Sequence, residues 1–254
     1  MTMDRLARTV REQVALGRLL PLGAAADAAW ITESAAVGAL RRAADGVTGV
    51  RLGSVTLALD ADAPEAEQRH AGAPVGALAY RPLRITADFE AGLDDTLPRT
   101  AERLRAALWA AAEDWLGVPV HSVDLEVTGL LAGGVAVDAV LEGVVVDDGD
   151  TARELADAPA AGAPAALVAA AALAVPGVLR LTRRLAGLGS GVRVRDTAAG
   201  AATAAGRSVQ LQFAVAAGHR PYVVARAVTA AISPVAAAGA PGPLTTAVVV
   251  TDTH

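Results

Sequence analysis

The sequence predicts an α+β protein made of two tandem copies of a small two-layer sandwich, and three observations carry that prediction. The stretch Val209–Gly218 repeats the pattern of Leu83–Gly92, an alternating strand that ends on glycine. Each stretch is followed by a long helical segment and a closing strand, Val123–Val127 in the first half and Ala247–Thr251 in the second. The punctuation also recurs: Gly49 and Gly177 follow the shorter helix, Pro98 and Pro221 open the longer one, and Pro119 and Pro243 precede the last strand. Each unit reads helix–strand–strand–helix–strand, with or without a leading strand, and its helices cover one face of its sheet. The expected boundaries are an N-terminal amphipathic helix over 1–22, a first unit over 23–130, a connector over 131–162 and a second unit over 163–254.

Taken in order, Asp4–Leu20 places Leu6, Val10 and Val14 four apart with arginines on the flanks, which predicts the first helix. Pro21 and Gly23 break it, and a short strand is expected near Ala29–Ile31. Thr32 suits an N-cap and Glu33 a first turn, where a carboxylate meets the positive end of the helix dipole. Val37, Leu40, Ala44 and Val47 then form one apolar stripe, and Val55, Leu57 and Leu59 alternate as a half-buried strand. Asp60–Pro74 reads as an exposed loop. Leu83, Ile85, Ala87 and Phe89 face the core of the next strand, and Leu104, Leu108, Ala111 and Trp115 stripe the helix that follows.

In the second half, Ala165–Val175 is helical, Val192 and Val194 mark a strand after an insertion at Leu179–Gly191, and the strand at Val209 follows. There Val209, Leu211, Phe213 and Val215 are set against Leu83, Ile85, Ala87 and Phe89, and Gly218 against Gly92. Pro234 inside the last helix is expected to kink or shorten it, because proline removes a hydrogen bond. The closing strand is apolar on both faces and needs a second cover, from the other unit or from another subunit.

Composition narrows the chemistry. Every basic side chain is arginine, as a GC-rich genome would favour, and the net charge of −5 argues against a nucleic-acid coat. With no cysteine, disulfides, thiol catalysis and thiolate metal sites are excluded. No secretory h-region is visible, and the weakly polar run Ala158–Val178 is mostly alanine broken by prolines, so no membrane span is expected and the cytoplasm is the default.

The order V-P-G-V (Val175–Val178), G-V-R-V-R (Gly191–Arg195), a strand ending A-A-G (Ala216–Gly218), the helix Y-V-V-A-R-A-V (Tyr222–Val228) and a valine strand (Val248–Val250) resembles the alkaline shock, or envelope stress response, family. The first unit resembles it more distantly, through I-T-E-S-A-A-V (Ile31–Val37) and T-G-V (Thr48–Val50). That resemblance implies a non-enzymatic cytoplasmic protein connected to stress tolerance. It would be peripheral to the envelope through a membrane-anchored partner, and capable of self-association.

Candidate sites are few. His70, His121, His219 and His254 lack the spacing of a metal cage, and no metal or other cofactor is expected. Asp147-Asp148-Gly149-Asp150 lacks the later glutamate of a calcium loop. Gly187, Gly189 and Gly191 precede a strand, whereas a phosphate cradle needs a helix N-terminus. Asp94 and Asp95 suit helix caps better than an acid–base pair. One concentration remains, Arg180, Arg183, Arg184, Arg193 and Arg195, which reads either as a solvated basic edge or as a contact for an acidic partner or anionic lipid head groups. The functional expectation is a non-catalytic scaffold or stress-response protein. The alternative is a small-molecule-binding protein with its ligand between the repeats, touched by the glycine-rich loop.

Overall fold

A computed structural model describes residues 17–63, 70, 72–131, 163–184, 191–199 and 204–254. Among them are four helices and nine strands, an α+β protein. The strands are β1 (Leu19–Leu22), β2 (Ala29–Thr32), β3 (Val50–Leu59), β4 (Leu83–Ala91), β5 (Val120–Leu130), β6 (Val178–Leu181), β7 (Val192–Thr197), β8 (Gly206–Val215) and β9 (Leu244–Thr253). The helices are α1 (Glu33–Asp45), α2 (Leu97–Ala110, prolonged by a π turn over Ala111–Leu116), α3 (Pro164–Leu173) and α4 (Pro221–Ala237). Residues 1–16, most of the expected N-terminal helix, and nearly all of the connector lie outside the described residues.

The strands form two sheets. One has the order β3-β4-β5, with β3 antiparallel and β5 parallel to β4. In the other, β6 and β7 share the same side of β8 and run antiparallel to it, while β9 runs parallel on the opposite side. The two halves therefore repeat one connectivity. Beyond β9 the second sheet continues into β2 and β1, so strands at the start of the chain complete a sheet built by its end. Leu19 and Leu20, expected as the tail of a helix, and Pro21, expected to break it, lie together in strand β1. The apolar run L-L-P-L buries all four residues, and a one-sided helix could not do that. The boundary drawn at 22/23 thus falls inside a β1–β2 hairpin, and β2 belongs to the same sheet as β9.

One core joins the sheets. Leu20, Leu22, Ala29 and Ile31 meet Leu57, Ile85, Phe89, Leu104, Leu108, Leu211, Phe213 and Val248 in a single buried cluster, and α1 touches strands of both sheets. Thr32 caps α1, its side chain accepting from the Ala35 N–H. The buried stripe of α2 is Leu104, Leu108, Ala112 and Leu116, each inaccessible to solvent. The expected stripe passed through Ala111 and Trp115. The π turn, which needs more residues per turn, shifts the inward positions by one residue. Pro234 does not shorten α4, which runs through it to Ala237 and so stays longer than α3.

The cross-strand pairing corrects the expected register by two residues. Ala91 lies opposite Val50 and Val215 opposite Val178, so Phe213 corresponds to Phe89 rather than to Ala87. The Gly92 N–H donates to the Gly49 carbonyl as the Ala216 N–H donates to that of Gly177, which makes Ala216 the counterpart of Gly92. Gly218, with φ 77°, is a turn residue further on. The other punctuation keeps its place. Leu83 N–H donates to the Pro119 carbonyl and Arg207 N–H to that of Pro243, and Pro98 and Pro221 both stand in first helical turns. At the end of each parallel pair one threonine bulges out, Thr128 or Thr251, and its hydroxyl bonds the carbonyl of Phe89 or Phe213.

The insertion is also narrower than expected. Strand β3 bulges at Gly53–Ser54, between the pairs Leu52–Phe89 and Val55–Ala87. In the second half Leu181 pairs with Phe213 and Val192 with Leu211, so the insertion runs from Thr182 to Gly191 and occupies the bulge position. Leu179, Arg180 and Leu181, assigned to the insertion by sequence, belong to strand β6. Gln212 pins both ends: its carbonyl accepts from the Thr182 N–H at 3.0 Å and its own N–H donates to the Gly191 carbonyl at 2.9 Å.

Candidate functional site

The arginine concentration resolves into three parts. Arg180 lies opposite Ala214, Arg193 opposite Gln210 and Arg195 opposite Ser208. Since Leu211, Phe213 and Val215 point into the core, the even-numbered partners place all three arginines on the outer face of the sheet. Arg180 and Arg195 are exposed and Arg193 is half-buried. None of the three side chains has a hydrogen bond or ion pair among the described residues. Arg184 differs, pairing with Asp252 at 3.5 Å, and Arg183 is also engaged. Of the concentration, Arg180, Arg193 and Arg195, along the β6–β7 edge, are thus the members whose side chains have no partner among the described residues.

The corresponding face of the three-stranded sheet carries the opposite charge. Asp88, Glu90, Asp124 and Glu126 line it. Arg51 pairs with Glu90 at 2.6 Å, and Ser54 donates to Asp88. At one end of this face Asp60 is fully buried as a carboxylate. Its Oδ2 accepts from Ser122 Oγ at 2.5 Å, and its Oδ1 accepts from Arg84 at 3.0 Å and from the Asp62 N–H at 2.9 Å. The Ser122 hydroxyl and then the Arg84 guanidinium hold its carboxyl far below the usual range. Arg84 also bridges Asp62 at 2.7 Å and Asp124 at 3.3 Å. A buried carboxylate that accepts three hydrogen bonds, one of them from a guanidinium, is held in its charged form as a fastener.

Sequence reasoning missed that cluster and two others. Arg207, buried in β8, holds Asp196 at 2.6 Å and donates to the carbonyls of Ala236, Ala238 and Gly239. A cation is thereby fixed on the negative end of α4, and its hydrogen bonds lower the Asp196 pKa. Tyr222 donates to Asp27 at 3.0 Å, while Arg226 reaches Asp27 at 3.4 Å and lies 5.7 Å above the Tyr222 ring. Burial, and then the bond to Asp27, raises the Tyr222 pKa. Asp27 lies 195 positions from Tyr222, so that cluster forms only once the two ends of the chain have met. At the start of α2 the cap position falls to Thr96, whose side chain makes no cap hydrogen bond, and Asp95, expected as a cap, accepts instead from the neighbouring Thr96 N–H at 2.8 Å.

Among the described residues no group of three His, Asp or Glu side chains could hold a metal ion. His254 approaches Asp252 at 3.5 Å, and His219 approaches the carbonyl of Ala217. Gly187, Gly189 and the Asp147–Asp150 run lie outside the described residues, while Gly191, at φ 73°, closes the base of the insertion. No described helix is long and apolar enough to cross a membrane. What the fold defines is a mixed α+β body, filled between its sheets, with charge-sorted outer faces. No family model matches the chain, and no curated protein or solved structure matches it.

Proposed function

We propose that this chain is a non-catalytic scaffold that works through protein contacts, with Arg180, Arg193 and Arg195 receiving an acidic segment of the partner. The observation that carries this reading is the contrast between these three unpartnered cations and the other buried or clustered charges. Asp60, Arg84, Asp196, Arg207 and Asp27 all have internal partners. Leaving three arginines in line on an edge costs self-repulsion, which an acidic partner relieves. The sequence resemblance adds a setting: the cytoplasmic side of the envelope, beside a membrane-anchored partner, in a stress response. The two halves are read as tandem copies of one unit. The shared strand order, the threonine bulges and the Pro119 and Pro243 carbonyl bonds support that reading.

The test is affinity purification of the full chain from its host, beside an Arg180→Glu, Arg193→Glu, Arg195→Glu variant. The main partner should be lost from the variant and should elute early from the wild type as salt rises. Equal recovery from both proteins contradicts the proposal.

A further inference from the structure

The back of the six-stranded sheet holds a feature that a scaffold does not need. Trp30 points away from the main core into a second cluster with Leu19, Tyr80, Ala247 and Val249. His70 and the residues from Ala73 to Tyr80 stand over it and leave a half-enclosed pocket of about 290 Å³ against the sheet. Trp30 is inaccessible to solvent, yet its indole N–H has no hydrogen-bond partner among the described residues. A buried donor left unmade costs about 1–3 kcal/mol, so it calls for an acceptor.

The rest of the lining narrows what that acceptor belongs to. The His70 ring stands edge-on to Trp30, with centroids 5.9 Å apart. Its Nδ1 accepts from the Gly72 N–H at 3.1 Å, which leaves Nε2 carrying the proton in the neutral ring. The Tyr80 hydroxyl is already spent, accepting from the Ala29 N–H and donating to the Ala29 carbonyl. The other walls include Ala73, Pro74 and Ala77, and Val75 stands fully exposed at the rim. Among the described residues that line the pocket there is no lysine, arginine or carboxylate, so an ion held by them would be buried without a counter-charge.

We infer that this pocket binds a small uncharged molecule, apolar over most of its surface, that presents a carbonyl, ether or ring-nitrogen acceptor to the Trp30 N–H. The volume lies near the lower limit for ligand pockets, which restricts the occupant to about one ring with a short substituent. The site stands apart from the arginine edge and does not rest on the scaffold reading.

The indole N–H resonance of Trp30, assigned by its disappearance in Trp30→Phe, gives a direct readout in the full chain. Acetophenone is the neutral acceptor probe, toluene the control without an acceptor and benzoate the charged control, each titrated to about 5 mM, above a fragment Kd of about 1 mM. Acetophenone should shift the resonance saturably and bind about five-fold tighter than toluene, the ratio expected for one hydrogen bond. Ala77→Leu, which fills the pocket, should abolish the shift, and Ala73→Leu replaces it should that variant fail to fold. The inference is overturned if no probe moves the resonance, if toluene or benzoate equals acetophenone, or if the shift survives in the filled pocket.

Discussion

Asp60 shows what a single residue does in this molecule. Its carboxylate is out of solvent and bound by Ser122, Arg84 and the Asp62 N–H, joining the end of β3 to β4 and β5. Its folded pKa is depressed, so its contribution to stability is fully present above the unfolded value of about 3.9 and drains away as pH falls below it. Asp60→Asn should therefore lower the urea midpoint at pH 7, with the gap to wild type closing as the pH is taken below about 4. A gap that stays constant across that range contradicts the assignment. Tyr80 plays a similar part on the other sheet, since its hydroxyl serves both polar groups of Ala29. Tyr80→Phe leaves a buried N–H and a buried carbonyl unpaired and should cost about 1–3 kcal/mol in denaturant unfolding. Neither role was legible in the sequence, because Asp60 meets Ser122 and Tyr80 meets Ala29 only after strands far apart in the chain have paired.

At the scale of elements, the alternation of β4 and β8, the Thr32 cap and the proline starts of α2 and α4 could all be read directly, because each is a local rule. The register between the halves could not. Gly92 and Gly218 look equivalent in sequence, but hydrogen bonding to Gly49 and Gly177 selects Ala216 over Gly218. Strand β6 was hidden for a related reason: four residues before an insertion carry too little alternation to be recognised as half of a strand. The joint between the halves depends on a glycine that the sequence marks as the end of a helix, while its contact across the joint follows from no local rule. Gly117 caps α2 with φ 84°, its carbonyl accepts from the Gly23 N–H, and a methyl there would lie 2.4 Å from the Tyr222 Cβ. Gly117→Ala combines left-handed strain with that overlap and should cost about 2 kcal/mol or more, read as a fall in thermal midpoint.

For the whole molecule, the apolar second face of β9 has its explanation in the first half of the chain. Ala247 and Val249 are covered by Leu19, Trp30 and Tyr80, so the closing strand of the second unit can be hydrophobic throughout while β5 keeps Asp124 and Glu126 in water. The two halves share one connectivity and also one core, through β2 on β9 and α1 between the sheets. Calorimetry of the full chain tests this claim most directly. A single transition, with calorimetric and van't Hoff enthalpies equal and with Phe89→Ala and Phe213→Ala each lowering the same midpoint, is the predicted result. Two transitions, one moved by Phe89→Ala and the other by Phe213→Ala, would show two independent units and contradict it.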